Sequence, residues 1–91
     1  MTLINEAAYL YVYSKKVIVV NKKLHGLRED ATTQAKKFHS TRDSQHQQKH
    51  HAEYQQLTEK IKKLLEERQE ILKKLHRHQV AFAGQLQKES R

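Results

Sequence analysis

The chain has 91 residues, of which 36% are hydrophobic and 31% are charged, and its formal net charge is +8. The lack of cysteine excludes disulfides, zinc ribbons and thiol catalysis, and the lack of proline with only two glycines argues against all-β folds and glycine-rich phosphate loops. We therefore predict one mostly helical domain over residues 1–91, and we expect self-association because so small a chain buries little apolar surface alone.

The first predicted element is a helix over residues 3–38, the first arm of the chain. Its apolar residues recur at spacings of three and four, with Ser14 and Asn21 as polar members of the same stripe. Residues 7–20 also carry a strand signal, because they are rich in tyrosine and valine. The three residues between the two β-rich runs include none of the glycine, asparagine or aspartate that tight hairpin turns favour. We therefore predict a helix here and keep a β-hairpin over residues 7–20 as the alternative.

Residues 39–50 contain no apolar residue, which predicts a polar connector between two arms, with a fully solvated helix as the alternative. In a helix, His46 and His50 would have the spacing that can chelate a metal such as zinc, with Asp43 as a third ligand. Because cations lie nearby and no HExxH pattern occurs, solvated histidines are the simpler interpretation, and no cofactor is expected. Histidine titrates near neutral pH, so a metal- or pH-responsive helix is a further hypothesis.

The second predicted arm covers residues 51–88, and residues 57–75 give the clearest helical pattern in the chain. Its apolar residues occupy heptad positions a, d and e, a face wider than the seam of a dimeric coiled coil. Arg68 interrupts this face at an a position, where it either extends outward or meets a carboxylate of a partner helix. The predicted partner or oligomer interface consists of Leu10, Val17, Leu57, Ile61, Leu64, Leu65, Arg68, Ile71, Leu72, Leu75 and Phe82.

The two arms together predict an all-α fold, an antiparallel helical hairpin or coiled coil that assembles as a four-helix dimer. Residues 1–28 and 71–91 each hold five Lys or Arg and one acidic residue, a net charge of +4, and antiparallel pairing would bring them together. Clustered cations attract phosphates, although no recognised nucleic-acid-binding motif is present. The predicted polyanion-binding residues are Lys15, Lys16, Lys22, Lys23, Lys73, Lys74 and Arg77.

The function that this pattern favours is that of a small basic protein–protein interaction module, such as an adaptor, a chaperone-like protein or a regulator. The partner would be another protein or a second copy of the chain. Nucleic-acid binding through the basic ends is the main alternative. Enzyme activity is not expected, because the serines lack a glycine-flanked elbow and most carboxylates have a cation at helical pairing distance.

No membrane-spanning segment is predicted, since the longest apolar-rich stretch, residues 7–20, is interrupted by Lys15 and Lys16. The first residues lack the basic start of a secretory signal, so a cytoplasmic location is expected. Contact of the first arm with an anionic membrane surface would use the same positive charge and is a less favoured option.

Overall fold

The computed structural model describes residues 2–89 and contains two long α-helices and, within those residues, no β-strand. Helix α1 spans Leu3–Ser40, and helix α2 spans Ser44–Glu89. The prediction of an all-helical chain is thus confirmed, and the two helices with their short connection fit a helical hairpin. Because α1 runs unbroken through residues 7–20, the β-hairpin alternative for that stretch does not apply.

Helix α1 forms despite its β-branched residues. Each of them disfavours a helix by only about 0.5 kcal/mol relative to alanine, and the packing of α1 against α2 outweighs this cost. Thr2 caps its start: the Thr2 Oγ1 accepts a hydrogen bond from the Asn5 amide at 3.2 Å. The Glu6 amide donates to the Thr2 carbonyl at 3.0 Å, which closes the first turn. The helix continues through Gly26, where a Cβ would meet no atom within 4 Å.

The connection between the helices consists of only three residues, 41–43. Asp43 caps α2, since its Oδ1 accepts a hydrogen bond from the Gln45 amide at 3.0 Å and its carbonyl accepts one from the Gln47 amide at 2.9 Å. The side chain of Gln47 also donates to the carbonyl of Thr41 at 2.6 Å. Residues 44–50, which the sequence placed in a polar connector, therefore form the first turns of α2, but the helix is not solvated on all sides, because Gln47 and His50 are half-buried.

The contacts of the chain divide it into two compact units. Among the described residues, unit 1 contains residues 2–20 and 67–89, and unit 2 contains residues 21–66. In each unit a segment of α1 packs against a segment of α2, as the hydrogen bond between Glu6 and His78 shows in unit 1 and that between Gln34 and His50 shows in unit 2.

In both units the less exposed residues follow a heptad repeat, and we call the line of a and d positions between the helices the seam. The unit 1 seam comprises Leu3, Glu6, Leu10, Tyr13, Val17 and Val20 on α1 and Arg68, Ile71, Leu75, His78, Phe82 and Gln85 on α2. The unit 2 seam comprises Leu24, Leu27, Ala31, Gln34 and Phe38 on α1 and Gln47, His50, Leu57, Ile61 and Leu64 on α2. Ser14 and Asn21, which the sequence placed in the apolar stripe of the first arm, are exposed, and the d positions Tyr13 and Val20 lie in the seam instead.

Candidate interaction surfaces

The structure places most of the predicted interface residues inside the hairpin. Six of them lie half-buried in the unit 1 seam: Leu10, Val17, Arg68, Ile71, Leu75 and Phe82. Three more lie half-buried in the unit 2 seam, namely Leu57, Ile61 and Leu64, and Leu65 lies beside them at an e position. Leu72 is the exception, since it is 38% exposed. Because α2 has no fully buried residue within 44–89, its apolar face is only partly covered by α1.

One side of unit 1, which we call the e flank, carries the e positions of both helices. On α1 these are the small residues Ala7 and Ser14, and on α2 they include Leu72 and Leu86. The small side chains of α1 cannot cover two leucines, and Leu86 is 50% exposed. The e flank is thus the part of the wide a, d and e face that this hairpin leaves open.

The side of α1 that faces away from α2 in unit 1 is unexpectedly apolar. This outer face consists of the b, c and f positions Ile4, Asn5, Ala8, Tyr11, Val12, Lys15, Ile18 and Val19. Ile4 is 82% exposed, Tyr11 62% and Ile18 54%. The b, c and f positions of α2 within residues 67–89 include only one large apolar residue, Val80, among polar and charged ones. A helix segment that is apolar on both faces normally packs against something on each of them.

The outer face carries positive charge without exposed negative charge. On this face the Lys15 ammonium lies 4.9 Å from the centroid of the Tyr11 ring, and beside the face, at a g position, the Lys16 ammonium lies 5.3 Å from the centroid of the Tyr13 ring. Glu6 is the only acidic residue in residues 2–20, and its side chain is fully buried. The other predicted polyanion-binding residues are also exposed; Lys73, Lys74 and Arg77 lie in unit 1, and Lys22 and Lys23 lie in unit 2. Of these, Lys73 forms an ion pair with Glu70 at 3.3 Å.

A polar cluster that the sequence analysis missed interrupts the unit 1 seam. The Glu6 Oε2 lies 2.7 Å from His78 Nδ1, whereas Oε1 is buried and has no hydrogen-bond partner among the described residues. The His78 ring stacks on Tyr9, with centroids 4.5 Å apart, and on Tyr13, with centroids 5.4 Å apart. The signal that could have revealed the cluster is the heptad register, which places both Glu6 and His78 at d positions.

The two histidines considered as metal ligands face different partners. His46 Nδ1 lies 2.8 Å from Asp43 Oδ2 at the exposed start of α2, and this hydrogen bond is the main cause that lowers the pKa of Asp43. His50 Nδ1 instead lies 2.8 Å from Gln34 Oε1 in the unit 2 seam. Within residues 2–89, no group of three or more potential ligands could hold a metal ion.

Unit 2 also contains an aromatic cleft of about 240 Å³, lined by Ala35, Phe38, His39, His51 and Tyr54. The Phe38 ring meets His39 edge-on at 5.4 Å and lies 5.8 Å from His51. The cleft is smaller than the ~300–1,000 Å³ of typical small-molecule sites, so its size fits a single planar ring. The sequence did not reveal this cleft, because it placed Phe38 in the first arm and Tyr54 in the second.

No helix within residues 2–89 is long and apolar enough to cross a bilayer. Comparisons with protein-family models, with curated proteins and with solved structures find no match.

Proposed function

We propose that the protein is a small basic interaction module whose apolar helix surface is completed by another protein chain, either a different protein or a second copy. The e flank of unit 1 carries this proposal, because Leu72 and Leu86 remain exposed there beside Ala7 and Ser14. A flank of leucines on one helix and small residues on the other admits a further helix at close range.

The energetics favour such a partner. Full burial of a leucine side chain contributes ~1.5–3 kcal/mol, so covering the exposed parts of Leu72 and Leu86 would contribute ~1 kcal/mol each. The half-buried seam residues beside them would lose further contact with water. The a, d and e pattern on α2 is typical of a helix with more than one neighbour, whereas the hairpin supplies one.

The simplest form of the proposal is that a second copy of the chain covers the e flank. Sedimentation equilibrium between about 5 and 200 μM tests this by measuring the mass of the protein in solution. We expect the mass to rise with concentration and Leu72→Glu to reduce the association at least tenfold, since the variant buries a charge at the flank. Val80→Glu is the control, because Val80 is also an exposed apolar residue of α2, at 60%, but lies away from the flank.

A partner of different sequence is tested by placing a photo-reactive amino acid at position 72 or at position 80 in the cell of origin. Position 72 should form a discrete crosslinked protein adduct in excess over position 80. A protein that stays monomeric and also crosslinks equally from both positions would contradict the proposed function.

Nucleic-acid binding is the second candidate, and the aromatic cleft of unit 2 is the observation that favours it. Its rings could stack on an unpaired base, a contact worth ~1–3 kcal/mol per base, while nearby cations contact phosphates. Fluorescence anisotropy with labelled single-stranded and duplex oligonucleotides at about 50 and 200 mM salt tests this function. Binding to single strands that falls with salt and weakens in Phe38→Ala would support it, and no binding at low salt would exclude it.

A further inference from the structure

We infer that the outer face of α1 in unit 1 lies on an anionic membrane surface, with the helix axis parallel to the bilayer. The inference concerns a different surface from the e flank and is independent of the proposed protein partner. It begins from the large apolar side chains that α1 turns away from α2, among them Ile4, Tyr11 and Ile18. These positions are normally polar in a two-helix hairpin, and in the facing segment of α2 Val80 is the one large apolar residue among them.

The charge of the segment selects an anionic occupant. Residues 2–20 present Lys15 and Lys16 to solvent, and their one carboxylate, Glu6, is fully buried against His78. The outer face therefore has no exposed anion that would repel acidic lipid headgroups. Each lysine near such a surface adds ~1 kcal/mol to binding, alongside the burial of the apolar side chains.

The positions of the lysines suit the boundary between headgroups and acyl chains. The Lys15 ammonium lies over the Tyr11 ring, 4.9 Å from its centroid, so a positive charge and an aromatic ring sit side by side on the outer face. Tyrosine and lysine are the residue types that concentrate at this boundary. Because α2 already holds the opposite side of α1, the helix is formed before it meets the membrane, and binding requires no folding of the segment.

A second copy of the protein fits this face less well. Pairing two outer faces would bring lysines of both copies into one apolar interface with no exposed carboxylate of either segment to neutralise them. Burying unpaired ammonium groups opposes such an interface, whereas a layer of lipid phosphates neutralises them.

Vesicle flotation with the full chain tests the inference, using vesicles of pure phosphatidylcholine and vesicles in which a quarter of the lipid is phosphatidylglycerol. We expect binding to the anionic vesicles at 50 mM salt, little binding to the neutral ones, and weaker binding at 500 mM salt. Ile18→Glu should reduce binding at least tenfold, because it places a carboxylate among the exposed apolar side chains of the outer face.

Val80→Glu is again the matched control, since it introduces the same charge at a similarly exposed position of α2, and it should leave flotation unchanged. Circular dichroism of both variants establishes that the helices remain formed. Absence of flotation with anionic vesicles, or equal losses in the two variants, would overturn the inference. So would a concentration-dependent mass that Ile18→Glu abolishes and Leu72→Glu does not, because a second copy would then cover the outer face.

Discussion

Replacing His78 by leucine tests how strongly the buried Glu6 carboxylate depends on the imidazole beside it. Glu6 is fully buried, its Oε2 lies 2.7 Å from His78 Nδ1, and Oε1 has no partner among the described residues. Removing one partner of a buried pair leaves an uncompensated charge and typically costs ~3–5 kcal/mol. Glu6 lies in the first turn of α1, where the helix dipole returns ~0.3–1 kcal/mol to a carboxylate, so we expect His78→Leu to lower the free energy of unfolding by about 3 kcal/mol.

Urea denaturation followed by circular dichroism at 222 nm measures this loss. The second variant is Glu6→Leu with His78→Leu, which replaces both partners by apolar side chains of similar size. Replacing a whole buried pair in this way is neutral or stabilising by ~1–4 kcal/mol, so the double variant should be at least as stable as the parent chain. Together with the single variants His78→Leu and Glu6→Leu, the double variant forms a double-mutant cycle. The coupling energy of the cycle measures the interaction between Glu6 and His78.

Two results would refute this account of the cluster. If His78→Leu changed the free energy of unfolding by less than about 0.5 kcal/mol, the carboxylate would not be held in the seam as the structure shows. If the double variant were as unstable as the sum of the single ones, the two side chains would act independently, and His78 would contribute through its stacking on Tyr9 and Tyr13 rather than through Glu6.

Three further predictions concern the helices themselves. Gly26→Ala should raise the free energy of unfolding by ~0.5–1 kcal/mol in urea denaturation, because the helix is continuous there and the added Cβ meets no atom within 4 Å; a loss of stability would mean that another chain approaches this position. The pKa of Asp43 is lowered by its hydrogen bonds with His46 and Gln45. Its contribution to the stability of the folded chain is therefore complete above the pKa that this carboxyl has in the unfolded chain, and is lost as the pH falls through the lower pKa of the folded state. Thermal denaturation of Asp43→Asn from pH 5 to pH 2 should therefore show a smaller loss of stability than the parent chain, and an identical profile would contradict the cap. His50→Leu should cost ~1–2 kcal/mol in the same urea assay by leaving Gln34 without its partner, and an unchanged midpoint would show that water replaces it.

The sequence predicted the helical hairpin because α2 has one clear apolar face and because residues 39–50, which contain no apolar residue, indicated a connection between two helical arms. It predicted the register of α1 less well. Residues 3–20 are apolar on two opposite faces, so periodicity alone cannot decide which face turns toward α2. The stripe through Ser14 follows the same spacing as the true seam through Tyr13 and Val20, and only the position of α2 distinguishes them.

The candidate sites were harder to predict, because each joins residues from two helices. The pairing of Glu6 with His78 spans 72 positions, and a polar residue in an apolar stripe is normally interpreted as solvated until its partner is known. The aromatic cleft likewise exists only because Phe38 and Tyr54 come from different helices. The cations of the basic ends were predictable as exposed residues, but whether phosphates contact them depends on a ligand rather than on the fold.

The polar pairs within the two seams have a consequence for how the helices of each unit align. Leucine, isoleucine and valine recur at heptad spacing through much of both seams, so an apolar seam alone would tolerate sliding by seven residues. A slide in one direction would bring Ile71 rather than His78 opposite Glu6 in unit 1, and a slide in the opposite direction would bring Leu57 rather than His50 opposite Gln34 in unit 2. The buried Glu6 carboxylate or the part-buried Gln34 amide would then face a side chain that cannot hydrogen-bond, at a cost of ~1–3 kcal/mol or more for a fully buried group. We therefore expect these pairs to select one alignment of α1 and α2 from several that the apolar residues would accept. The polar groups weaken the seam, and they also make its alignment unique.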